Sequence, residues 1–396
     1  MVSRTAASQR PLAGIRVVDL TRFVSGAYAS MLLASLGADV IKVEVGAEGD
    51  PYRTQGTAFV GTESALFQVL NTGKRGIRLD LKSAAGLRVM EALLGSADVL
   101  IENGRPGSLR GVGLDAESVR TRHPRLVYGS ISGYGQVGPD AARGGFDLIL
   151  QAEGGLMSVT GVAGGEPVKV GVPALDIGSA VSCALAVTAA LLGRERHGAG
   201  SQVSASLLEF ATACFASTAP AFLVDGEVPR QMGSHSPTFA PYGAFRARDG
   251  YLVMAGAGSE DLWHRVCAAI GAPHLLADPR FSTNADRVRN LGPLIGEIEA
   301  VLAEHDVADW LSRLGAAGIP AAQVRDLAQV LTSPQAQALG LVREQRTRAG
   351  TYRYIGPPFQ VDGPLRFERG APELGEHTAE ILAELGLDED QEVTGP

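Results

Sequence analysis

The stretch Ile15-Arg-Val-Val-Asp-Leu-Thr-Arg-Phe-Val-Ser-Gly-Ala-Tyr-Ala-Ser-Met-Leu-Leu-Ala-Ser-Leu-Gly-Ala-Asp-Val-Ile-Lys-Val-Glu44 decides the fold. Ile15 to Leu20 is an apolar run of strand length, Ser25 to Leu36 has helical character, and Ala38 to Glu44 is a second strand. A strand, a helix and a strand in that order make a βαβ unit, which implies a parallel sheet and a right-handed crossover. The pattern continues with strands at Gly76 to Leu81, Asp98 to Glu102 and Leu126 to Ser132, and a helix at Ala84 to Leu94. The economical fold is α/β, a doubly wound parallel sheet of Rossmann-like type, preceded by a short disordered lead.

Such a unit invites a dinucleotide reading, and Glu44 stands where a ribose-binding acid would stand. The first strand-to-helix loop, Thr21-Arg-Phe-Val-Ser-Gly26-Ala-Tyr, nevertheless has one glycine, so the G-x-G-x-x-G fingerprint is missing and an NAD or FAD site is disfavoured. A formal charge of -8 over 396 residues leaves no global basic field for nucleic acid. Cys183, Cys214 and Cys267 are far apart and without metal spacing, so neither a disulfide framework nor a zinc site is expected, and two of them fall in apolar helical runs. The first residues lack an apolar run of signal-peptide length, and the uncharged run after Asp176 stops at Arg194, so a soluble cytoplasmic protein with no membrane partner is expected.

Further along, Phe146 to Val159 reads as a helix, Gly161 to Pro173 as a Gly/Pro-rich connection, Ser201 to Ser206 as a strand and Leu207 to Leu223 as a helix. Composition shifts at Asp225-Gly-Glu-Val-Pro229, followed by a hairpin over Gly243 to Ala255 and charged amphipathic helices at Glu260 to Ile270, Val288 to Glu304 and Val307 to Ala317. The expected organisation is a large α/β domain over residues 1–224, a smaller α+β domain over 225–330, and a return to the large domain over 331–396 with a last helix at Thr378 to Leu385. Between the connection and the next strand, Asp176 opens an uncharged helix, Ile177 to Leu192, that should be buried nearly all round. An Asp there can bond free backbone N–H groups, the helix dipole favours its ionised form, and an ionised carboxylate is a usable nucleophile.

Several motifs occur in one order along the chain: Pro11-Leu-Ala-Gly14, Leu36-Gly-Ala-Asp-Val-Ile-Lys-Val-Glu44, Asn71-Thr-Gly-Lys-Arg75, Asp98-Val-Leu-Ile-Glu-Asn103 with Arg105-Pro-Gly107, Gly133-Tyr-Gly135, Gly145-Phe-Asp147, Gln151-Ala-Glu-Gly-Gly155, Gly198-Ala-Gly200-Ser-Gln202, Pro241-Tyr-Gly-Ala-Phe245 and Ala371-Pro-Glu-Leu-Gly-Glu-His-Thr378. The set resembles the family III coenzyme A transferases, which include formyl-CoA and carnitine CoA-transferases and the 2-methylacyl-CoA racemases. The resemblance runs from about residue 11 to the end and implies transfer of CoA from an acyl-CoA donor, with succinyl-CoA a reasonable one, to a free carboxylic acid. It implies that Asp176 attacks the thioester to give an acyl-aspartyl anhydride and then an aspartyl-CoA thioester. It places the nucleotide against Arg22, Phe23, Val24 and Ser25, against Leu79 and Lys82, and against Asn103, Gly104 and Arg105, with Arg143 nearby. It also implies an intertwined homodimer, with the CoA thioester as substrate and no separate cofactor.

Departures from the family pattern narrow the reading. The racemase branch has a proton-transferring histidine immediately before the Asp that matches Asp147; here that residue is Phe146, which disfavours racemization. Formyl-CoA transferases carry a polyglycine loop where this chain has Gly256-Ala-Gly-Ser259, and a polar pocket residue where it has Val24, so oxalate is a poor substrate candidate. Gly154, Gly155, Gly256 and Gly258 are more simply turn residues than oxyanion donors. His235 is as readily structural as functional, and Thr378 is the expected cap of the last helix. The alternatives are a racemase or related acyl-CoA enolising enzyme, and a non-catalytic acyl-CoA-binding protein of the same fold.

Overall fold

The computed structural model describes residues 10–388, so most of the expected disordered lead before Ile15 lies outside the described residues. The chain packs as two units. One comprises residues up to Leu156, Val170–Pro220 and the stretch from Pro334; the other comprises Met157–Lys169 and Ala221–Ser333.

The first unit is built on β1 (Arg16–Asp19), α1 (Phe23–Ser35), β2 (Asp39–Val45), β3 (Arg75–Leu79), α2 (Ala84–Ser96), β4 (Val99–Glu102), β5 (Val127–Ser132), α3 (Asp147–Glu153), α4 (Ala174–His197), β6 (Gln202–Ser206) and α5 (Leu207–Ala213). The six strands form one sheet in the order β3-β2-β1-β4-β5-β6, every pair parallel. Val17 and Val18 on β1, Val40 and Ile41 on β2, and Val99, Leu100 and Ile101 on β4 are all buried. Neighbouring residues point to opposite faces, so both faces of these strands are covered, which is why they read as continuous apolar runs. The chain moves outward from β1 to β3, then returns to β4 on the other side of β1. Ligand crevices in parallel sheets open at such a reversal, beyond the C-terminal ends of the strands.

Helix α4 packs on α1, α5, β5 and β6. Leu175, Cys183, Val187 and Leu191 are buried, but Val181, Leu185 and Leu192 are exposed by 38, 70 and 55%. The helix expected to be buried all round therefore carries one uncovered apolar stripe. By length and composition it is also apolar enough to cross a membrane, contrary to the sequence expectation, although its other face is built into the sheet layer.

Three expected helices are interrupted. That over 146–159 breaks at Gly154–Gly155, where Gly155 has a φ of 88°. That over 207–223 resolves into Leu207–Ala213 and Ala219–Asp225, and that over 288–304 into Asn284–Arg289 and Leu291–Leu302. Of the cysteines, Cys183 and Cys267 are buried, whereas Cys214, placed in an apolar helix by its sequence, lies just past the end of α5 and is exposed.

In the second unit, β7 (Tyr242–Arg246) and β8 (Tyr251–Ala255) form the expected antiparallel hairpin. Leu252 and Met254 point inward and Tyr251 and Val253 outward, the period of a half-buried strand. Helices α6 (Glu260–Ile270), α7 (Leu291–Leu302) and α8 (Val307–Ala316) and strand β9 (Ala321–Gln323) complete a core around Phe245, Trp263 and Trp310. The chain then adds to the first unit a hairpin of β10 (Val342–Thr347) and β11 (Gly350–Ile355), which the sequence reading missed, and α9 (Thr378–Glu384).

Candidate active site

The loop leaving β1 is fixed by buried charges. Asp19 accepts hydrogen bonds from the backbone N–H and the hydroxyl of Thr21 at 2.8 and 2.6 Å, from the Ser30 hydroxyl at 2.6 Å and from Lys74 Nζ at 2.9 Å. Burial pushes the Asp19 carboxyl up, but Lys74 and Lys42 outweigh it and hold the group at about 2. Lys42 Nζ donates to the Thr21 carbonyl at 3.0 Å and to Asp50 at 2.9 Å, and Asp50 in turn accepts from the Tyr52 N–H at 3.0 Å. On the other side Asn103 grips Arg22 by both backbone groups, accepting its N–H at 2.9 Å and donating to its carbonyl at 2.6 Å. Between these anchors Phe23 adopts a φ of 61°, a left-handed conformation costing a bulky residue about 1–3 kcal/mol, so the surrounding bonds must over-determine it. Its ring meets the edge of Tyr52 at 5.3 Å.

Asp176 lies in the first turn of α4, yet it is not the cap. Pro173 precedes the helix and offers no side-chain oxygen. The cap is supplied by Asp147, at the start of α3, whose Oδ2 accepts from Leu175 N–H at 2.8 Å and Asp176 N–H at 3.2 Å. The other Asp147 oxygen accepts from Gln151 Nε2. The expected benefit of the helix dipole therefore falls to Asp147. The Asp176 carboxyl is pushed up to about 7, first by burial and then by the neighbouring Asp147 charge, against a hydrogen bond with the Ser25 hydroxyl. The sequence expectation of an acid kept ionised by the helix end is corrected accordingly.

Asp176 faces a cavity of about 270 Å³ at the C-terminal ends of β1, β4 and β5. Among the described residues that line it, Asp176 is the one carboxylate, and no Cys, His or Lys lines it. Of the residues expected to bind the nucleotide, Phe23, Ser25, Asn103, Gly104, Arg105 and Arg143 line this cavity. Val24 is buried in a small cluster with Ala27 and Leu70, and Arg22 is exposed. Leu79 is buried in the sheet core and Lys82 is exposed beyond the end of β3; neither lines the cavity. Arg143 is paired with Glu153 at 2.6 Å and Asp140 at 3.2 Å, and stacks over Tyr134. Arg105 has no carboxylate partner among the described residues, and Gly144 leaves room for its guanidinium to lie against the backbone.

Sequence reasoning passed over Tyr52 and Ser132, which line the cavity, and the cap at Asp147. The missing Ser, Thr, Asp or Asn before Ala174 was the available signal that the helix must be capped from elsewhere. Gly154 and Gly155 do not line the cavity: a side chain on Gly154 would strike Ala211, and Gly155 serves the break after α3. His235 packs on Phe245 within the second unit, and His377 Nδ1 accepts from Gly76 N–H at 3.2 Å. Thr378 is inside α9 rather than capping it, its hydroxyl donating to the Gly375 carbonyl at 2.8 Å.

A cavity lined by a single carboxylate, with no Cys, His or Lys among the described residues that line it, suits group transfer through acyl-carboxylate intermediates. Comparison with known proteins agrees, for the model of CoA-transferase family III matches residues 12–378. The chain is 36% identical over 383 residues to the succinate–glutarate CoA-transferase of Agrobacterium fabrum, covering 95% of this chain and 96% of that protein. It is 35% identical over 382 residues to the acetyl-CoA:oxalate CoA-transferase of Acetobacter aceti, covering 96% and 97%. The crystal structure of a CAIB/BAIF family protein from Brucella suis superposes with a TM-score of 0.84 at 36% identity, covering 95% of this chain and 99% of that one. The chain belongs to the family III CoA-transferases and is an enzyme of CoA transfer.

Proposed function

We propose that this enzyme moves CoA from succinyl-CoA or a similar donor to a free carboxylic acid, with Asp176 as the covalent nucleophile. The observation that carries the reading is the position of Asp176 as the one carboxylate lining the cavity. Ser25, Ser132 and Tyr52 are the other oxygen nucleophiles there, and no histidine lines the cavity to activate them.

In this mechanism the ionised Asp176 attacks the thioester carbonyl, the C–S bond breaks and CoA leaves as the thiolate. The thiolate then attacks the aspartyl carbonyl of the mixed anhydride, releasing the donor acid and leaving an aspartyl-CoA thioester. The acceptor carboxylate attacks that thioester, and the freed thiolate takes the acceptor acyl group, regenerating Asp176. Holding the CoA portion converts a slow encounter into an oriented one, and the Phe23 and Tyr52 rings line the cavity in which the anhydride forms. Arg105, the cavity arginine without a carboxylate partner among the described residues, is suited to the CoA phosphates, and Phe23, Ser25, Asn103, Gly104 and Arg143 line the same cavity, whereas Leu79 is sealed in the sheet core and Arg22, Val24 and Lys82 lie outside the lining. Phe146 lines the same cavity and cannot exchange a proton, which favours transfer over racemization.

The related proteins named above differ in donor and acceptor, so the acid pair belongs to the test. The poor candidacy of oxalate rests on Val24 and the short Gly256-Ala-Gly-Ser259 segment, while one relative is named for oxalate. We also read the sheet as doubly wound, the protein as cytoplasmic, and the assembly as an intertwined homodimer of two-domain chains. The uncovered stripe of Val181, Leu185 and Leu192 supports the dimer.

The test is a screen of acyl-CoA donors against mono- and dicarboxylic acids with wild type and Asp176→Asn. Wild type should transfer CoA, and the variant should lose at least about a thousandfold in kcat while still binding CoA. Transfer undiminished in the variant would refute the assignment.

A further inference from the structure

We propose that Asp147 and Gln151 are a positioning pair for Asp176, bracing the backbone that delivers it, and that the Asp147 charge favours its covalent over its ionised state. The inference rests on Asp176 being the nucleophile and adds what sets it up to attack.

The two residues are four apart on α3 and so share one face. Asp147 holds the N–H groups of Leu175 and Asp176 through one oxygen and Gln151 through the other. Gln151, fully buried, accepts from Val170 N–H at 2.8 Å and donates to the Val172 carbonyl at 3.4 Å. Two side chains of one short helix thus tie four backbone groups between Val170 and Asp176, in a segment that contains Gly171 and Pro173 and has no sheet partner.

The charges are unequally served. Asp147 is compensated by the two amides, the positive end of α4 and Gln151. Asp176 has the Ser25 hydroxyl from α1. The titratable groups that face it are Tyr52, from the turn Pro51–Arg53, and Asp147, from α3, while Arg105 and Arg143 line the same cavity. When the Asp176 oxygen bonds to the thioester carbon, the electron pair of the broken C–S bond leaves on sulfur. Asp176 then becomes neutral, as it is in both the anhydride and the aspartyl thioester. Each covalent state therefore relieves repulsion by Asp147 that the free carboxylate suffers, and burial disfavours the free anion in the same direction. The same repulsion makes the carboxylate more basic and hence a better nucleophile.

The experiment measures single-turnover CoA release from an acyl-CoA by the full-length enzyme as a function of pH. Asp147→Asn and Asp147→Ser keep a capping acceptor but remove the charge; Gln151→Leu removes the brace without touching the charge. In both Asp147 variants the midpoint of the acid limb should fall by about one pH unit, and release above pH 8 should slow about tenfold. Gln151→Leu should slow release with the midpoint unmoved. An unchanged midpoint in the two Asp147 variants overturns the proposal. If those variants lose the folded far-UV circular dichroism, Gln151→Leu and Gln151→Glu decide instead: the first should slow release with the midpoint unmoved, and the second, which sets another carboxylate beside Asp147, should raise the midpoint; wild-type rate and midpoint in both overturn the proposal. Failure of the nucleophile assignment itself is seen separately, as an acyl adduct on a residue other than Asp176.

Discussion

A carboxylate in the first turn of a helix ordinarily spreads its charge over the free amides there. At Asp176 those amides are already bonded to Asp147, and the acid is left with a carboxyl pushed up to about 7. Two consequences follow from the direction of that shift. Because the nucleophile must be ionised, kcat/KM should rise as pH increases through about 7 and level off above it. Because the folded chain holds this proton more tightly than the unfolded chain, Asp176 lowers stability as pH rises from about 4 to about 7. Asp176→Asn should therefore melt at a higher temperature than wild type at pH 8, with the difference shrinking at pH 4, while turnover is lost; a variant less stable at pH 8 would contradict the electrostatics. The family motifs singled out Asp176, and it lines the cavity. Its protonation state was not legible, since it depends on Asp147, 29 residues earlier in the chain, and on burial that no local window reveals.

At the scale of elements, the parallel sheet was legible because both faces of its strands are buried and their apolar runs are unbroken. Breaks in helices were harder to see. Gly154 and Gly155 interrupt an apolar pattern that is otherwise helical, and the hairpin over 342–355 opens on a nearly all-polar strand, Val342-Arg-Glu-Gln-Arg-Thr347, and has no Asn-Gly or Asp-Gly turn. Leu79 and Lys82 were carried over by resemblance alone, and sheet packing puts the first in the core. The approach of α3 to the end of β5 depends on a glycine pair. A Cβ on Gly145 would stand 2.5 Å from the Gly133 Cα, and one on Gly133 would stand 2.7 Å from the Gly145 Cα. Backbone against backbone cannot yield by a rotamer change, so Gly145→Ala should displace the start of α3 and, with it, Asp147. The expected result is a loss of about 1–3 kcal/mol in denaturant unfolding and a lower kcat with Asp176 intact. A variant as stable and active as wild type would show that α3 does not hold the site.

For the whole molecule, the net charge of -8 leaves CoA to be met by local cations, and Arg105 is the cavity arginine without a carboxylate partner among the described residues. The composition could not disclose the apolar stripe of α4, because Leu185 and Leu192 look like core residues until the sheet covers the opposite face. A homodimer that buries this stripe predicts that Leu185→Glu weakens association in sedimentation velocity at micromolar concentration. The fold itself should suffer little, since Leu185 is 70% exposed in the single chain. A wild-type protein sedimenting as a monomer under those conditions would contradict the dimer.

Covalent passage of the transferred group through Asp176 can be caught by chemical trapping. Wild type incubated with succinyl-CoA, treated with borohydride or hydroxylamine and digested, should yield one modified peptide with the change on Asp176, missing from Asp176→Asn. A modification on Ser25, Ser132 or Tyr52, or turnover with no covalent adduct at all, would rule out Asp176 as the nucleophile.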